Sequence, residues 1–196
     1  MSEAGGTISI RPEPLSALVE HARISIAFDV TSRLEVELLD SGLGGMTLRE
    51  RPVATPWRKD YDVVPGHAPT DWPRRFDVSR WGLLTAFDGE ERVGGCVLAH
   101  DTPGLHVLEG RPDTAELWDL RVAPEHRGRG IGSRLFEAVR EWARERGCRR
   151  LRIETQDINV PACRFYAARG CELAEIRRGA YPELPDETEL VWALEL

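Results

Sequence analysis

Residues 115–146 decide the fold of this chain, and they read AELWDLRVAPEHRGRGIGSRLFEAVREWARER. An apolar strand ends at Val122, because Pro124 cannot continue a regular strand. Glycines follow at positions 128, 130 and 132, and glycine lets a backbone turn sharply and approach a ligand closely. Apolar residues then recur at helical spacing, on a stripe of Ile131, Leu135, Val139 and Trp142. The stretch therefore predicts a strand, a tight glycine turn and a helix.

Basic residues crowd the beginning of this predicted helix: His126, Arg127, Arg129 and Arg134. The helix dipole already places roughly half a positive charge there, so these cations cost stability unless an anion joins them. A phosphate would resolve the conflict by accepting N–H bonds from the glycine turn. A solvated basic turn with no ligand stays open as the alternative.

Two phosphate-binding motifs fit this turn poorly. A P-loop ends in Gly-Lys-Ser/Thr, and Gly132-Ser133 has no lysine between them. A dinucleotide-binding fingerprint needs a third glycine where Ser133 stands, although Glu154 lies about 20 residues further on, as that motif asks.

The turn resembles the acetyl-CoA turn of the GCN5-related N-acetyltransferases (the GNAT family), whose pattern after a strand is Gln/Arg-x-x-Gly-x-Gly/Ala. Residues 127–132 match every fixed position, and NVPACRFYAARG at 159–170 resembles the second half of the family signature. The resemblance implies a mixed α/β (α+β) fold, with a central, mostly antiparallel twisted sheet, a parallel splayed strand pair and flanking helices. It also implies one domain over 1–196, with an acetyl-CoA-binding core at 115–175.

Shorter segments resemble the streptothricin acetyltransferases within that family. They are Arg58–Tyr61, Phe28–Val30, Glu154–Gln156, Tyr181 and the pair Glu187-Thr188. One departure is Cys171, where the family usually has phenylalanine. The resemblance implies an acetyl-CoA-dependent N-acetyltransferase whose acceptor is a small-molecule amine, with a streptothricin-like antibiotic and a resistance function as one interpretation.

Composition limits the partners. The chain has 196 residues and a net charge of −7, which argues against nucleic-acid binding through bulk electrostatics and favours cationic small molecules. No apolar run reaches the length of a membrane span, and the start, MSEAGGTISI, lacks the features of a signal peptide. Four widely spaced cysteines predict reduced thiols in a cytoplasmic protein, and five histidines without ligand spacing predict no metal site.

The remaining elements follow from local patterns. Strands are predicted at 7–11, 46–53, 149–155, 172–178 and 188–196, and a hairpin at 81–99 turns at Asp88-Gly89. A helical turn or two is expected at 15–21 and a short helix after Asn159, which can cap it. The pattern at 23–39 is mixed, and 54–80 is expected to be a long irregular segment, rich in proline and aromatic residues.

Acetyl transfer to an amine needs a base, since only about a thousandth of an alkyl amine is neutral at pH 7. The candidates are Glu116 and Asp119, interpreted as lying on opposite faces of one strand, and a water relay stays open. Resemblance to the histone-acetylating members favours Glu116. Resemblance also makes Tyr166 the general acid for the departing thiolate, with a core tyrosine as the alternative.

The resemblance implies the following acetyl-CoA-binding residues: Leu120, Arg121, Val122, Arg127, Gly128, Arg129, Gly130, Ile131, Gly132, Ser133, Asn159 and Tyr166. Asp60, Tyr61 and Tyr181 are the candidate substrate-binding residues, and the first two form, together with Asp62, an aromatic and acidic rim that could hold a substrate cation. Packing of that loop on the body is the alternative. A catalytically silent acyl-CoA sensor and a protein N-acetyltransferase are the rival functions, and a homodimer is an open option.

Overall fold

The structure is a computed structural model that describes residues 7–196. The expectation of no signal peptide rests on residues 1–10, and the first six of these lie outside the described residues. The strands are β1 (Ile8–Glu13), β2 (Phe28–Leu38), β3 (Met46–Lys59), β4 (Gly82–Asp88), β5 (Glu91–His100), β6 (Thr114–Val122), β7 (Arg150–Gln156), β8 (Glu172–Arg178) and β9 (Thr188–Glu195). The helices are α1 (Leu18–His21), α2 (Trp72–Arg75), α3 (Ile131–Glu145) and α4 (Val160–Ala167).

The chain divides into two compact units. The first unit comprises Met1–Ile26, Asp60–Ile153 and Glu195–Leu196, and the second comprises Ala27–Lys59 and Glu154–Leu194. The prediction of one domain over the whole chain stays a prediction.

The first unit contains an antiparallel run of strands in the order β1-β4-β5-β6, followed by the beginning of β7. The hairpin between β4 and β5 turns at Gly89, whose φ of 62° suits glycine, as predicted. The beginning of β7 pairs with β6 in parallel, with Thr114–Leu117 opposite Arg150–Ile153. This parallel pair follows from the helix that connects the two strands.

Helix α3 packs its apolar stripe against β4, β5 and β6. All four predicted stripe residues are buried, and Leu135 and Val139 are fully inaccessible. Burial of each such side chain contributes about 1.5–3 kcal/mol, so this stripe holds the helix beginning next to the end of β6.

An aromatic cluster covers another part of the first unit. The Trp118 ring lies 5.1 Å from Trp81, 5.1 Å from Phe76 and 5.9 Å from Trp72, measured between centroids. Trp72 is thus a core residue, which favours the packing interpretation of its loop. The expectation of an irregular segment over 54–80 is wrong for 54–59, which belong to β3, and for 72–75, which form α2.

The second unit contains the ribbon of β2 and β3 and the order β7-β9-β8. Strand β3 runs through Pro52 and Pro56, beyond its predicted end at Val53. Proline is tolerated here because each strand of a two-stranded ribbon has an edge, and the register shifts between Val30 and Ser32. The antiparallel pair of β8 and β9 is as predicted.

These elements confirm the predicted mixed α/β fold, with a mostly antiparallel sheet and one parallel pair. All four cysteines are buried thiols rather than disulfides. Within residues 7–196, no helix has the length and apolarity that a membrane crossing requires.

Candidate active site

The glycine turn after β6 has the open backbone that a ligand site requires. Gly128 and Gly130 have φ values of 77° and 80°, a region that favours glycine. A Cβ atom added at either position would meet nothing within 4 Å, so the space above the turn is open. Gly130 is the N-cap of α3 and has no side chain to cap it. The first N–H groups of a helix have no intrahelical acceptor and attract an anion.

The basic side chains around the turn reach acceptors in the protein. Arg127 donates from Nε to the carbonyl of Val122 at 3.0 Å. A terminal nitrogen of Arg129 lies 3.3 Å from the Asp88 carboxylate, and one of Arg134 donates to the carbonyl of Ile8 at 2.7 Å. Arg129 thus has a carboxylate partner within the protein, whereas Arg127 and Arg134 have neutral acceptors, and the expectation that an anion joins these cations stays a prediction. The main-chain N–H groups of the turn, rather than the arginine side chains, therefore support a phosphate-binding site.

Strand β6 continues for five residues beyond its parallel ladder with β7, which ends at the pair Leu117 and Ile153. On its other edge, Leu120, Arg121 and Val122 remain paired with β5. These three predicted acetyl-CoA-binding residues thus lie in a part of β6 that pairs with β5 and extends past the parallel ladder.

A β-bulge at Trp118 corrects the predicted placement of the two candidate bases. Leu117 is opposite Leu98, whereas Asp119 is opposite Val97, so the ladder skips Trp118. Because a bulge inserts one residue, Asp119 changes face. Glu116 and Asp119 therefore lie on the same face of the sheet, and the interpretation that placed them on opposite faces is wrong.

Asp119 is held in a buried ion-pair network. Its Oδ1 lies 2.7 Å from Nε2 of His21, and Arg121 donates to both of its carboxylate oxygens, at 2.9 and 2.6 Å. Burial alone would raise the pKa of Asp119, but the charge of Arg121 and the hydrogen bond with His21 outweigh it and hold that pKa well below its usual value. Asp119 is consequently a weak proton acceptor near neutral pH.

Glu116 is almost completely buried and stands opposite Ala99 on one side and Arg152 on the other. Arg152 is itself buried and pairs with Glu109 at 2.5 Å. Glu116 therefore lies in a protected environment on β6, three residues before Asp119.

In the second unit, α4 begins at Asn159, whose side-chain Oδ1 accepts the N–H of Ala162 at 3.2 Å. The predicted helix cap is confirmed. Tyr166, on the same helix, is buried, and its ring is perpendicular to that of Phe165 at 5.2 Å between centroids. The helix thus places the candidate acid in a buried position beside Phe165.

Tyr181, also in the second unit, is joined to β7. Its hydroxyl donates to Glu154 at 2.6 Å and accepts from the amide nitrogen of Gln156 at 3.2 Å. Burial and the negative charge of Glu154 raise the pKa of Tyr181, so the phenol stays protonated. Glu154 contacts this candidate residue and belongs to one of the matched segments, although no role was predicted for it.

The predicted rim residues form an ordered turn in the first unit. Oδ1 of Asp60 accepts the N–H of Asp62 at 3.0 Å, and the ring of Tyr61 stacks on His67 at 6.5 Å. The Asp62 carboxylate accepts from Arg121 at 2.8 and 3.2 Å. Sequence reasoning missed this ion pair and the role of His21, because nothing in the local pattern connects residues so far apart.

The expectation of no metal stays a prediction. Within the first unit, Glu91, Glu125 and His126 place potential ligand atoms within 4.8 Å of one another. The two carboxylates are exposed, and such acidic clusters are common without an ion.

Comparison with known proteins identifies the family. The family model described as acetyltransferase (GNAT) matches residues 51–171, and the chain belongs to this family. It is accordingly an N-acetyltransferase that uses acetyl-CoA, as the sequence predicts.

Two relatives and one solved structure show how far the likeness extends. The chain is 31% identical to the streptothricin acetyltransferase of Escherichia coli, over 94% of this chain and 93% of the relative. It is 37% identical to the streptothricin acetyltransferase of Streptomyces lavendulae, over 83% of this chain and 80% of the relative. A Bacillus anthracis protein solved with acetyl coenzyme A shares the fold, with a TM-score of 0.74, 22% identity and coverage of 97% and 100%.

Proposed function

We propose that this enzyme acetylates a primary amine of a cationic small molecule, a streptothricin-like antibiotic, in the cytoplasm. The observation that carries the proposal is the 31% identity to a streptothricin acetyltransferase over almost the whole chain. The net charge of −7 supports a cationic acceptor over a nucleic acid. The proposal takes residues 1–196 as one catalytic domain, with 115–175 as its acetyl-CoA-binding core.

Acetyl-CoA supplies the activated acetyl thioester. Its diphosphate is proposed to accept main-chain N–H groups from Arg127–Ser133, where the positive φ values of the turn and the open space beside it support such a fit. Leu120–Val122 are proposed to pair with the pantetheine arm through their backbone, and Asn159 through its side-chain amide.

Glu116 is proposed as the base that removes the ammonium proton of the acceptor, directly or through water. The structural support is comparative: both oxygens of Asp119 are engaged by cationic or N–H donors and its pKa is lowered, which leaves Glu116 as the better acceptor on the same face. A positioned base contributes typically about 10²–10⁴-fold in rate.

Tyr166 is proposed as the acid. The neutral amine nitrogen forms a bond to the thioester carbonyl carbon, the carbon–sulfur bond breaks, and the departing sulfur takes the phenolic proton. The nitrogen then loses its surplus proton to the phenolate, directly or through water, which leaves a neutral amide and restores the phenol. An ordinary tyrosine has a pKa near 10 and carries that proton at pH 7. Asp60, Tyr61 and Tyr181 are proposed to bind the acceptor, the first as an anion and the others as aromatic surfaces for a cation.

The test is release of CoA thiol from acetyl-CoA across a panel of amines that includes streptothricin, simple polyamines, lysine and a lysine-containing peptide. The proposal predicts turnover with streptothricin and weak turnover with the peptide. Glu116→Gln protein should bind acetyl-CoA normally and lose about 100-fold in kcat. Preference for the peptide would favour the protein acetyltransferase, and no turnover with any amine would overturn the proposal.

A further inference from the structure

A buried charged network in the first unit reaches from β6 to the turn that carries the proposed substrate residues. Its members are His21, Asp62, Asp119 and Arg121. The side chains of His21, Asp119 and Arg121 are 0%, 4% and 1% exposed, whereas that of Asp62 is 22% exposed. The network is therefore buried at one end and reaches solvent at the other, through Asp62.

Arg121 uses the whole donor capacity of its guanidinium. An arginine side chain has five N–H groups. One fork donates to Asp119, from Nε at 2.9 Å and from a terminal nitrogen at 2.6 Å. The other fork donates to Asp62 at 2.8 and 3.2 Å, and the fifth N–H reaches the carbonyl of Ile24 at 3.0 Å. Two bidentate pairs on one guanidinium fix its plane and, with it, the position of both carboxylates.

The buried residues of the network, His21 and Asp119, orient Arg121 and, through it, Asp62. Asp119 and Arg121 are two residues apart on β6 and share a face, and Nε2 of His21, from α1, contacts Oδ1 of Asp119 at 2.7 Å. Gly95 gives His21 its room, since a Cβ at that position would lie 2.7 Å from Nδ1 of the imidazole. Asp62 is thus bound by an arginine that cannot rotate away.

Asp62, the partly exposed end of the network, lies in the turn at 60–62. The carboxylate of Asp60 accepts the N–H of Asp62, so fixing Asp62 also fixes Asp60 and the intervening Tyr61. A buried ion pair is a poor device for stability alone, since apolar residues of the same volume serve as well or better. The bidentate ion pair between Arg121 and Asp62 can, however, hold the turn at 60–62 at a defined distance from β6.

We propose that Arg121, oriented by Asp119 and His21, is a positioning residue that holds the 60–62 turn through Asp62 and thereby sets the affinity for the amine acceptor. This inference rests on the proposed function, in which Asp60 and Tyr61 bind the acceptor. It assigns Asp119 to this network instead of to proton transfer.

The experiment compares Asp62→Asn with Asp71→Asn. Asp62→Asn keeps the shape but removes the charge and turns N–H groups toward the guanidinium. Asp71 pairs with Arg74 at 3.4 Å on the surface, so it is the matched control. The expected result for Asp62→Asn is a KM for the amine raised about tenfold, with kcat and the KM for acetyl-CoA changed less than about twofold, as for loss of uniform substrate binding. Asp62→Glu, which keeps the carboxylate, should restore part of the amine affinity.

Hydrogen exchange of the amides at 60–66, measured without substrate, gives a second readout that does not depend on activity. Asp62→Asn should accelerate it, and Asp71→Asn should not. Unchanged exchange would overturn the inference, and so would faster exchange with an unchanged KM for the amine. If wild-type protein acetylates no amine, the proposed function is overturned and this inference falls with it. That result can be distinguished from the two outcomes above, in which wild-type protein is active.

Discussion

Helices α3 and α4 begin in opposite ways. Helix α4 begins at Asn159, whose own side chain accepts a main-chain N–H of the first turn. Helix α3 begins at Gly130, which has no side chain and a φ of 80°. In α4 the N-cap side chain accepts a main-chain N–H of the first turn. In α3 the N-cap glycine cannot do so, and the first main-chain N–H groups are left for other acceptors.

The difference separates two tasks that the proposed mechanism needs. Binding of a diphosphate requires main-chain donors with nothing above them, and α3 provides these through its backbone. Proton transfer requires a side chain held in one orientation, and α4 holds the candidate acid, Tyr166, in a buried position. Substitutions at the start of α3 should therefore act on binding, and substitution of Tyr166 on α4 should act on turnover.

The largest expected effect comes from Gly130→Val. A β-branched residue strongly disfavours a φ of 80°, so the turn must change its backbone path. We expect the Kd for CoA, measured by calorimetry, to rise by about 100-fold or more, because the changed path misdirects several N–H donors, each worth about 1.5–3 kcal/mol to a charged group.

The same helix provides the control for this substitution. Gly147 follows the other end of α3, has a φ of 75°, and has equally open surroundings. Gly147→Val should lower Tm by a comparable amount and leave CoA affinity unchanged. Equal losses of CoA affinity in both variants would mean that general destabilisation, and not the turn, is responsible.

A smaller effect is expected for Tyr166→Phe. The ring and its packing against Phe165 remain, and only the hydroxyl is lost. We expect kcat to fall about 100-fold, the typical contribution of a general acid, with the Kd for CoA within about twofold of wild type. Phe165→Leu changes the neighbouring ring and keeps the hydroxyl, so it should retain most of the turnover. Unchanged kcat in Tyr166→Phe would show that another group protonates the sulfur.

The smallest effects separate the two roles of Asn159. Asn159→Asp keeps a cap oxygen for Ala162 but removes the amide donor, whereas Asn159→Ala removes both. Asn159→Ala should lose about 1 kcal/mol of stability in denaturant unfolding, and Asn159→Asp almost none. Both should weaken CoA binding about fivefold, the value of one hydrogen bond of about 1 kcal/mol. Normal CoA binding by Asn159→Asp would limit Asn159 to the helix cap.

Sequence reasoning succeeded where the signal was local. The strand, turn and helix around Gly130, the cap at Asn159 and the hairpin at Gly89 each follow from residues within a few positions of one another. Helical or alternating periodicity and the φ preference of glycine determine such elements directly.

Other features depend on contacts between distant parts of the chain, and local patterns could not predict them. The ion pair between Asp62 and Arg121 joins residues 59 positions apart, and the contact of His21 with Asp119 joins residues 98 apart. The continuation of β3 through Pro56 could not be predicted either. Proline is tolerated there because β3 pairs with only one other strand, and local patterns do not show how many partners a strand has.

Beyond the bulge at Trp118, β6 is sensitive to length more than to composition. Conservative replacements along the strand alter one side chain each. Deletion of Trp118 itself would remove the bulge and leave Asp119 opposite Val97, so every later side chain would keep its face. Deletion of Leu120, or insertion of one residue after Asp119, would instead turn Arg121 toward α3. Among descendants of this gene, insertions and deletions should therefore be absent from 119–121 even where the identity of Leu120 drifts.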